Sequence, residues 1–221
     1  MADSLGITLY AFATLTEARG VFPELNAASG CTANKVIPLA SRDKFVAVLG
    51  VGSLEFSANL SAVLLDFQKK EIPVSSVIAL GICGAYPQSG IQVGEVVRIF
   101  SETVGDLGFN EADESFVPWS NAPTYTGDEA LLDRFPGLAK LPAVRGLTVN
   151  CCTGSYNMAE QRVNNFACQV ESMEGAAALA ICKAFQVPVL EIRAVSNIAS
   201  TRDKSAWRIT EALEKLRELF R

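Results

Sequence analysis

From Val170 the chain reads Val170-Glu171-Ser172-Met173-Glu174-Gly175-Ala176-Ala177-Ala178. An alanine-rich segment follows, and then Pro188-Val189-Leu190-Glu191-Ile192-Arg193-Ala194-Val195-Ser196-Asn197. A short apolar run delivers two carboxylates, and Glu174 stands where a helix should begin. That helix must stop before Pro188, which disfavours helical backbone in the residue preceding it. The next apolar run delivers Arg193, Ser196 and Asn197. Two strands joined by one crossover helix therefore bring a carboxylate and an amide to one edge of a sheet.

The same alternation continues outward from this stretch. Ile7 to Ala13 reads as a buried first strand running into Thr16-Glu17 and a short helical stretch towards Leu25. Lys44 to Leu49 is a second strand, closed by Gly50-Val51-Gly52. Ser53 is placed to cap the helix that follows, with Phe56, Leu60, Val63, Leu64 and Phe67 on one face. Val77 to Leu80 is a strand opening into a Gly81-Ile82-Cys83-Gly84-Ala85 loop, and Val93 to Phe100 is another. Residues 101–127 carry Gly, Asp, Asn, Pro and Ser with little periodicity, and a loop of that length is usually functional or interfacial. Helix is expected over 128–135, strand over 143–151, helix near 158–166 and an amphipathic helix from Trp207 to Phe220. Alternating short apolar runs and helices predict an α/β fold, a three-layer αβα sandwich around a mostly parallel, mixed sheet. With no repeat, low-complexity tract or linker, residues 1–221 are expected to form one domain.

Composition narrows the functional classes. Apolar residues make up 49% of the 221 residues and charged residues 19%, a globular balance. The net charge of −5 is spread along the chain, and Lys69-Lys70 is its only basic doublet. Neither a nucleic-acid nor a membrane partner is expected. No apolar run approaches the roughly 18 residues of a membrane helix. The six cysteines (Cys31, Cys83, Cys151, Cys152, Cys168 and Cys182) form no zinc-like spacing and read as buried thiols of a reducing cytoplasm. There are no histidines. Proton transfer near neutral pH must then fall to a carboxylate, thiol, amine or phenol, or to water held by one of them.

Ligands of such sheets bind at the carboxyl ends of the strands. Glu17, Gly84, Glu174 and Asn197 all fall near such ends. Each also has an ordinary structural explanation. A first-turn glutamate such as Glu174 complements the helix dipole, and Ser196-Asn197 suits a turn. The functional readings are chemical. A carboxylate offers two acceptor oxygens to vicinal hydroxyls, and Glu17 could activate water if burial lifts its pKa. The Asn197 amide offers a donor and an acceptor to a purine edge. Backbone N–H groups at Cys83-Gly84 could cradle an anion or a sugar. Cys83 has no histidine partner and reads as a small buried thiol rather than a nucleophile, as do Cys151 and Cys152.

Together these motifs resemble the nucleoside phosphorylase and nucleosidase superfamily. The likeness rests on Val170–Ala177, Ile192–Asn197, the strand leading to Glu17, the Gly50-Val51-Gly52 turn and Gly81–Ala85 followed by Val93-Gly94-Glu95-Val96-Val97. Within it, Gly105-Asp106-Leu107-Gly108, Thr153-Gly154-Ser155, Glu171–Ala177, Ser196-Asn197 and Arg202–Trp207 are similar to the futalosine hydrolases. The resemblance implies hydrolysis of the N-glycosidic bond of futalosine in menaquinone biosynthesis, with no cofactor and no metal. The partner is a small purine nucleoside, and the protein is a homo-oligomer, a dimer or larger. By the same resemblance, Glu174 grips the ribose hydroxyls beside Met173, and Glu17 deprotonates the attacking water. Asn197 and Ser196, with Thr153, Gly154 and Ser155, attend the leaving base, and Cys83 and Gly84 line the sugar site. Arg193 orients Glu174. Adenine-type nucleosidases carry aspartate where this chain has Asn197, which favours hypoxanthine. Asparagine can also pair with an adenine edge, so the chemistry by itself leaves both open. Glutamate and glycines stand where a phosphate nucleophile wants cations, which favours water, although Arg19 and Arg42 could fold inward. The benzoate of futalosine needs an apolar slot and a cation, for which Phe109, Phe116 or Trp119 of the long loop, of this or of a neighbouring subunit, and Arg202 or Lys204 are the candidates. Another purine nucleosidase or a phosphorylase is the alternative.

Overall fold

The computed structural model describes residues 6–26, 36–41 and 43–221. In chain order the elements are β1 (Ile7–Phe12), α1 (Leu15–Val21), β2 (Val36–Pro38), β3 (Lys44–Val48), α2 (Ser53–Lys69), β4 (Val74–Ala85), β5 (Val96–Val104), β6 (Gly108–Asn110), β7 (Phe116–Pro118) and β8 (Thr124–Thr126). They continue with β9 (Ala143–Thr148), α3 (Tyr156–Phe166), β10 (Val170–Ser172), α4 (Gly175–Phe185), β11 (Val189–Ile198) and α5 (Ile209–Glu218).

The main sheet runs β10-β9-β5-β11-β4-β1-β3-β2, with β8 added to β5. It is mixed. The pairs β1–β3, β1–β4, β4–β11, β5–β9 and β9–β10 are parallel, whereas β5–β11, β2–β3 and β5–β8 are antiparallel. The start of β10, Val170-Glu171, also pairs antiparallel with Gly84-Ala85 of β4, so this part of the sheet curls back on itself.

Strand alternation divides the core between two helical layers. Tyr10 and Phe12 of β1, Val46 and Val48 of β3, Ile78 and Leu80 of β4, and Leu190, Ile192 and Ala194 of β11 pack towards α1 and α5. Their neighbours Leu9, Ala11, Ala47, Val77, Ala79 and Val189 pack towards α2 and α4. Strands buried on both faces read as continuous apolar runs, which is why this half of the sheet was visible in sequence. The three-layer mixed α/β architecture is the one expected.

Several local expectations are corrected. Gly81-Ile82-Cys83-Gly84 is not a loop; β4 runs through it to Ala85, because β11 pairs with it throughout and β10 joins it at Gly84-Ala85. Residues 101–127 carry the end of β5, the β6–β7 hairpin and β8. Residues 128–135 hold only a 3₁₀ stretch, Glu129–Asp133, capped by Asp128. Ser53 does not cap α2: Gly52 occupies that position, and the Ser53 hydroxyl donates to the Met173 carbonyl at 3.2 Å. Cys151 is exposed and Cys152 half-buried rather than buried, since both follow β9 in a loop; Cys83, Cys168 and Cys182 are buried free thiols. Cys31 and Arg42 lie outside the described residues. Among the described residues no helix is long and apolar enough to cross a membrane.

Phe56, fully buried on α2 against the sheet and remote from the cavity described below, tests the packing. Phe56→Ala should cost about 3–5 kcal/mol of unfolding free energy in a urea titration.

Candidate active site

A cavity of about 320 Å³ is lined from the ends of β1, β4, β10 and β11, a size that suits a small-molecule ligand. Eight expected site residues meet in it: Glu17, Cys83, Gly84, Thr153, Met173, Glu174, Ser196 and Asn197. Gly154 and Ser155 do not line it. Ser155 caps α3 instead, its hydroxyl accepting from the Met158 N–H at 3.2 Å.

Glu17 is fixed by its own helix start. Thr14 caps α1 and donates from both its N–H (3.0 Å) and its hydroxyl (2.7 Å) to Glu17 Oε2, while Ile82 N–H reaches Oε1 at 3.1 Å. Burial pushes the Glu17 carboxyl above the usual range; the Thr14 hydroxyl and the Arg193 guanidinium pull it partly back. Glu174 stands at the cap position of α4 without capping it. Its Oε1 accepts from Gly52 N–H at 3.0 Å, and its Oε2 lies 3.5 Å from Arg193 Nη1. Gly52 has φ +87°, a conformation open to glycine and strained for other residues, so the Gly50-Val51-Gly52 turn exists to present that N–H. Arg193 in turn holds Glu191 through Nε at 2.8 Å. Burial pulls the guanidinium pKa down, but Glu191 and then Glu174 more than offset it and hold it above the ordinary value.

Asn197 owes its direction to a β-bulge. Val195 pairs with Cys83 but Asn197 pairs with Gly84, so the extra residue re-aims Asn197 across Gly84. Its Nδ2 donates to the Ile198 carbonyl at 3.3 Å, and its Oδ1 accepts from the Ser196 hydroxyl at 2.8 Å. A carbonyl neighbour requires an N–H, which sets which way the amide faces. A Cβ at position 84 would stand 3.2 Å from Asn197 Nδ2 and 3.1 Å from Ala199 Cβ.

The pocket wall near Thr153 depends on residues that sequence reasoning missed. Glu171, buried in β10, accepts from Thr153 N–H (2.9 Å) and hydroxyl (2.6 Å), Tyr86 hydroxyl (2.8 Å) and Arg162 (2.9 Å). Arg162 also reaches the Cys151 carbonyl at 2.6 Å. An acid in an apolar run was the available signal, but its partners are 9 to 85 residues away in sequence. Burial pushes the Cys83 thiol well up, which agrees with an inert residue.

The charged residues lining the cavity, among those described, are Glu17, Glu171, Glu174 and Arg202. Such a set repels an anionic nucleophile and suits water. Arg19 does not line the cavity. Trp207, Ile209 and Val51 provide apolar wall beside Arg202. Phe109, Phe116, Trp119 and Lys204 are not part of the wall. Phe109 and Trp119 stack on each other (centroids 5.4 Å apart) on the β6–β7 hairpin, and Phe116 packs on Phe166.

Residues 37–221 match the family model of the phosphorylase superfamily. The chain belongs to that superfamily. The futalosine hydrolase of Thermus thermophilus is 34% identical over 160 residues, which is 67% of this chain and 69% of that protein, and this places the chain in the futalosine hydrolase family. The native structure of futalosine hydrolase of Helicobacter pylori superposes with TM-score 0.76 at 15% identity, covering 98% of this chain and 96% of the other. The Helicobacter pylori 5′-methylthioadenosine/S-adenosylhomocysteine nucleosidase superposes with TM-score 0.77 at 14% identity, covering 99% and 97%. The fold is thus common to both kinds of nucleosidase and does not separate them.

Arg162→Ala leaves Glu171 buried without its cation. It should lower stability by about 3–5 kcal/mol in a denaturant titration.

Proposed function

We propose that the chain hydrolyses the N-glycosidic bond of futalosine, releasing hypoxanthine and dehypoxanthinyl futalosine, a step of menaquinone biosynthesis. The observation that carries this reading is Asn197, an amide whose Nδ2 has one hydrogen on the Ile198 carbonyl and a second left for a ligand. The 34% identity to a futalosine hydrolase supports it.

Breaking the bond between ribose C1′ and the purine nitrogen leaves positive charge on the sugar and negative charge on the base. Glu174, held by Gly52 N–H and Arg193, accepts from the 2′ and 3′ hydroxyls, beside Met173. Glu17 removes a proton from the water that adds to C1′. Its raised pKa matches the carboxylate better to that proton than an exposed glutamate would. Asn197 Nδ2 donates to the N7 and O6 side of the leaving 6-oxopurine. It stabilises the developing charge without transferring a proton, the kind of preorganised electrostatic contribution that is usually largest. The base departs as its anion and takes a proton from solvent, to which Glu17 returns the one it removed. Cys83 and Gly84 face the sugar. Arg202 receives the benzoate of futalosine, with Trp207 and Ile209 as the apolar slot. We extend the reading to a cytoplasmic homo-oligomer acting on a small nucleoside, supported by the free thiols and by the family.

The direct test is incubation with futalosine in phosphate-free buffer, with chromatographic detection of free hypoxanthine; no release overturns the assignment. Asn197→Asp should raise activity on methylthioadenosine relative to futalosine, because an acid can protonate a leaving adenine; an unchanged ratio would argue against Asn197 as the base contact. Arg202→Ala should raise KM for futalosine much more than for inosine, and an equal effect on both would remove it from the benzoate site.

The acid limb of kcat/KM should lie above the ordinary glutamate value, since a raised pKa delays formation of the basic carboxylate as pH rises. Thr14→Val removes the hydroxyl that favours the ionised form, so it should move that limb to still higher pH.

A further inference from the structure

Behind the cavity, four carboxylates are buried around one guanidinium. Glu17 and Glu174 face the ligand; Glu102 on β5 and Glu191 on β11 lie deeper, 1% and 0% exposed, and have no part in the chemistry so far described. Glu191 Oε1 is bound to Arg193 Nε, but its Oε2 has no hydrogen-bond partner. Glu102 Oε2 accepts from the Thr148 hydroxyl at 2.8 Å, but its Oε1 has no partner either. Two orphaned oxygens buried this deeply would be costly if both groups were ionised.

The two orphans both border a single glycine, as does Glu191 Oε1. A Cβ built on Gly175 would stand 2.5 Å from Glu102 Oε1 and 2.6 Å from Glu191 Oε2. Gly146 leaves a similar gap beside Glu102 Oε1. Absent side chains on β9 and at the start of α4 thus let the two carboxyls approach each other.

Thr148 settles which oxygen of Glu102 can hold a proton. Its hydroxyl oxygen accepts from Ala176 N–H at 2.7 Å, so its one hydrogen is free to point at Glu102 Oε2. That oxygen is an acceptor, and a proton on Glu102 must sit on Oε1. Glu191 has a guanidinium in contact and Glu102 has none, so the proton belongs to Glu102.

We propose that Glu102 is a positioning residue, kept as a neutral carboxylic acid whose Oε1 donates its proton to Glu191 Oε2. The resulting chain, from Glu102 through Glu191 and Arg193 to Glu174, fixes the carboxylate that faces the ligand. This rests on Glu174 serving the sugar, as set out above. Burial, and then the Glu191 charge, push the Glu102 carboxyl well above the usual range, in agreement with the geometry. The titratable groups facing Glu102 are Glu191 and Arg193 from β11, Glu174 from the start of α4 and Tyr125 across the β5–β8 pair. Cys83 on β4 and Cys168 before β10 also lie within electrostatic range of it. Apart from Arg193, none of them offers Glu102 a positive charge.

The test compares Glu102→Gln with Glu102→Ala. A glutamine amide can donate to Glu191 and accept from Thr148, as the protonated acid does. Glu102→Gln should therefore keep kcat/KM within a small factor of the parent, whereas Glu102→Ala should lose on the order of 10²-fold through a loosened Glu174. A glutamine that fails as badly as the alanine overturns the proposal.

The sign of the pH dependence gives a second readout that needs no substrate. A carboxyl with a raised folded-state pKa contributes stability that is full below its unfolded value and is lost as pH rises through the folded one. The Tm of Glu102→Gln should gain on that of the parent as pH rises from the weakly acidic to the alkaline range; a gap constant with pH overturns the proposal. In the infrared difference spectrum at neutral pH, the parent should show the carbonyl stretch of a protonated carboxylic acid that Glu102→Gln lacks. Its absence overturns the proposal even if futalosine is cleaved, and its presence upholds it even if the substrate proves to be another nucleoside.

Discussion

Arg193 is the charge on which the site depends. It is 2% exposed, and its guanidinium reaches Glu191 on one side and Glu174 on the other, with Glu17 near enough to feel it. A buried cation of this kind is tolerable only with anionic partners in place, and the partners are equally intolerable without it. The sheet supplies them by register: Glu191 and Arg193 are two residues apart on β11 and share a face. Gly81, opposite Arg193 on β4, has no side chain to block the approach. A Cβ there would stand 2.6 Å from Arg193 Nη1 and 2.7 Å from Glu17 Oε1.

The two ends of the cavity are built on different principles. At the Glu174 end, buried carboxylates are held by backbone N–H groups and one guanidinium, so their positions are set before any ligand arrives. At the Asn197 end, an uncharged amide is oriented by a hydroxyl and a carbonyl, and a bulge aims it. A second buried ion pair, Arg162 with Glu171, anchors the neighbouring Thr153 wall to β10 and α3. Charge is thus concentrated at the Glu17 and Glu174 end of the cavity, and neutral donors sit at the Asn197 end.

Glycine has a different task at each place. Gly52 adopts a backbone conformation that turns its N–H towards Glu174. Gly81, Gly146 and Gly175 have ordinary conformations and matter only because they lack a Cβ. In a strand or at a helix start such residues weaken the element, and the compensation here is close approach of buried acids and the guanidinium.

By itself the sequence determined the strands buried on both faces, the crossover between Val170 and Asn197, and eight residues of the cavity. Those signals are local: apolar runs, turn residues, and chemical groups standing at strand ends. The continuous β4 through Gly81–Ala85, the role of Gly52 in place of Ser53, and the placement of Phe109, Phe116 and Trp119 outside the cavity wall of their own chain were decided only by tertiary structure. So were Glu102, Glu171 and Arg162, since a buried acid is recognisable only with its partners, and those come from other strands. The reason is physical. Periodicity reports which face of an element is apolar, whereas a hydrogen bond or ion pair depends on register and close approach between elements distant in the chain.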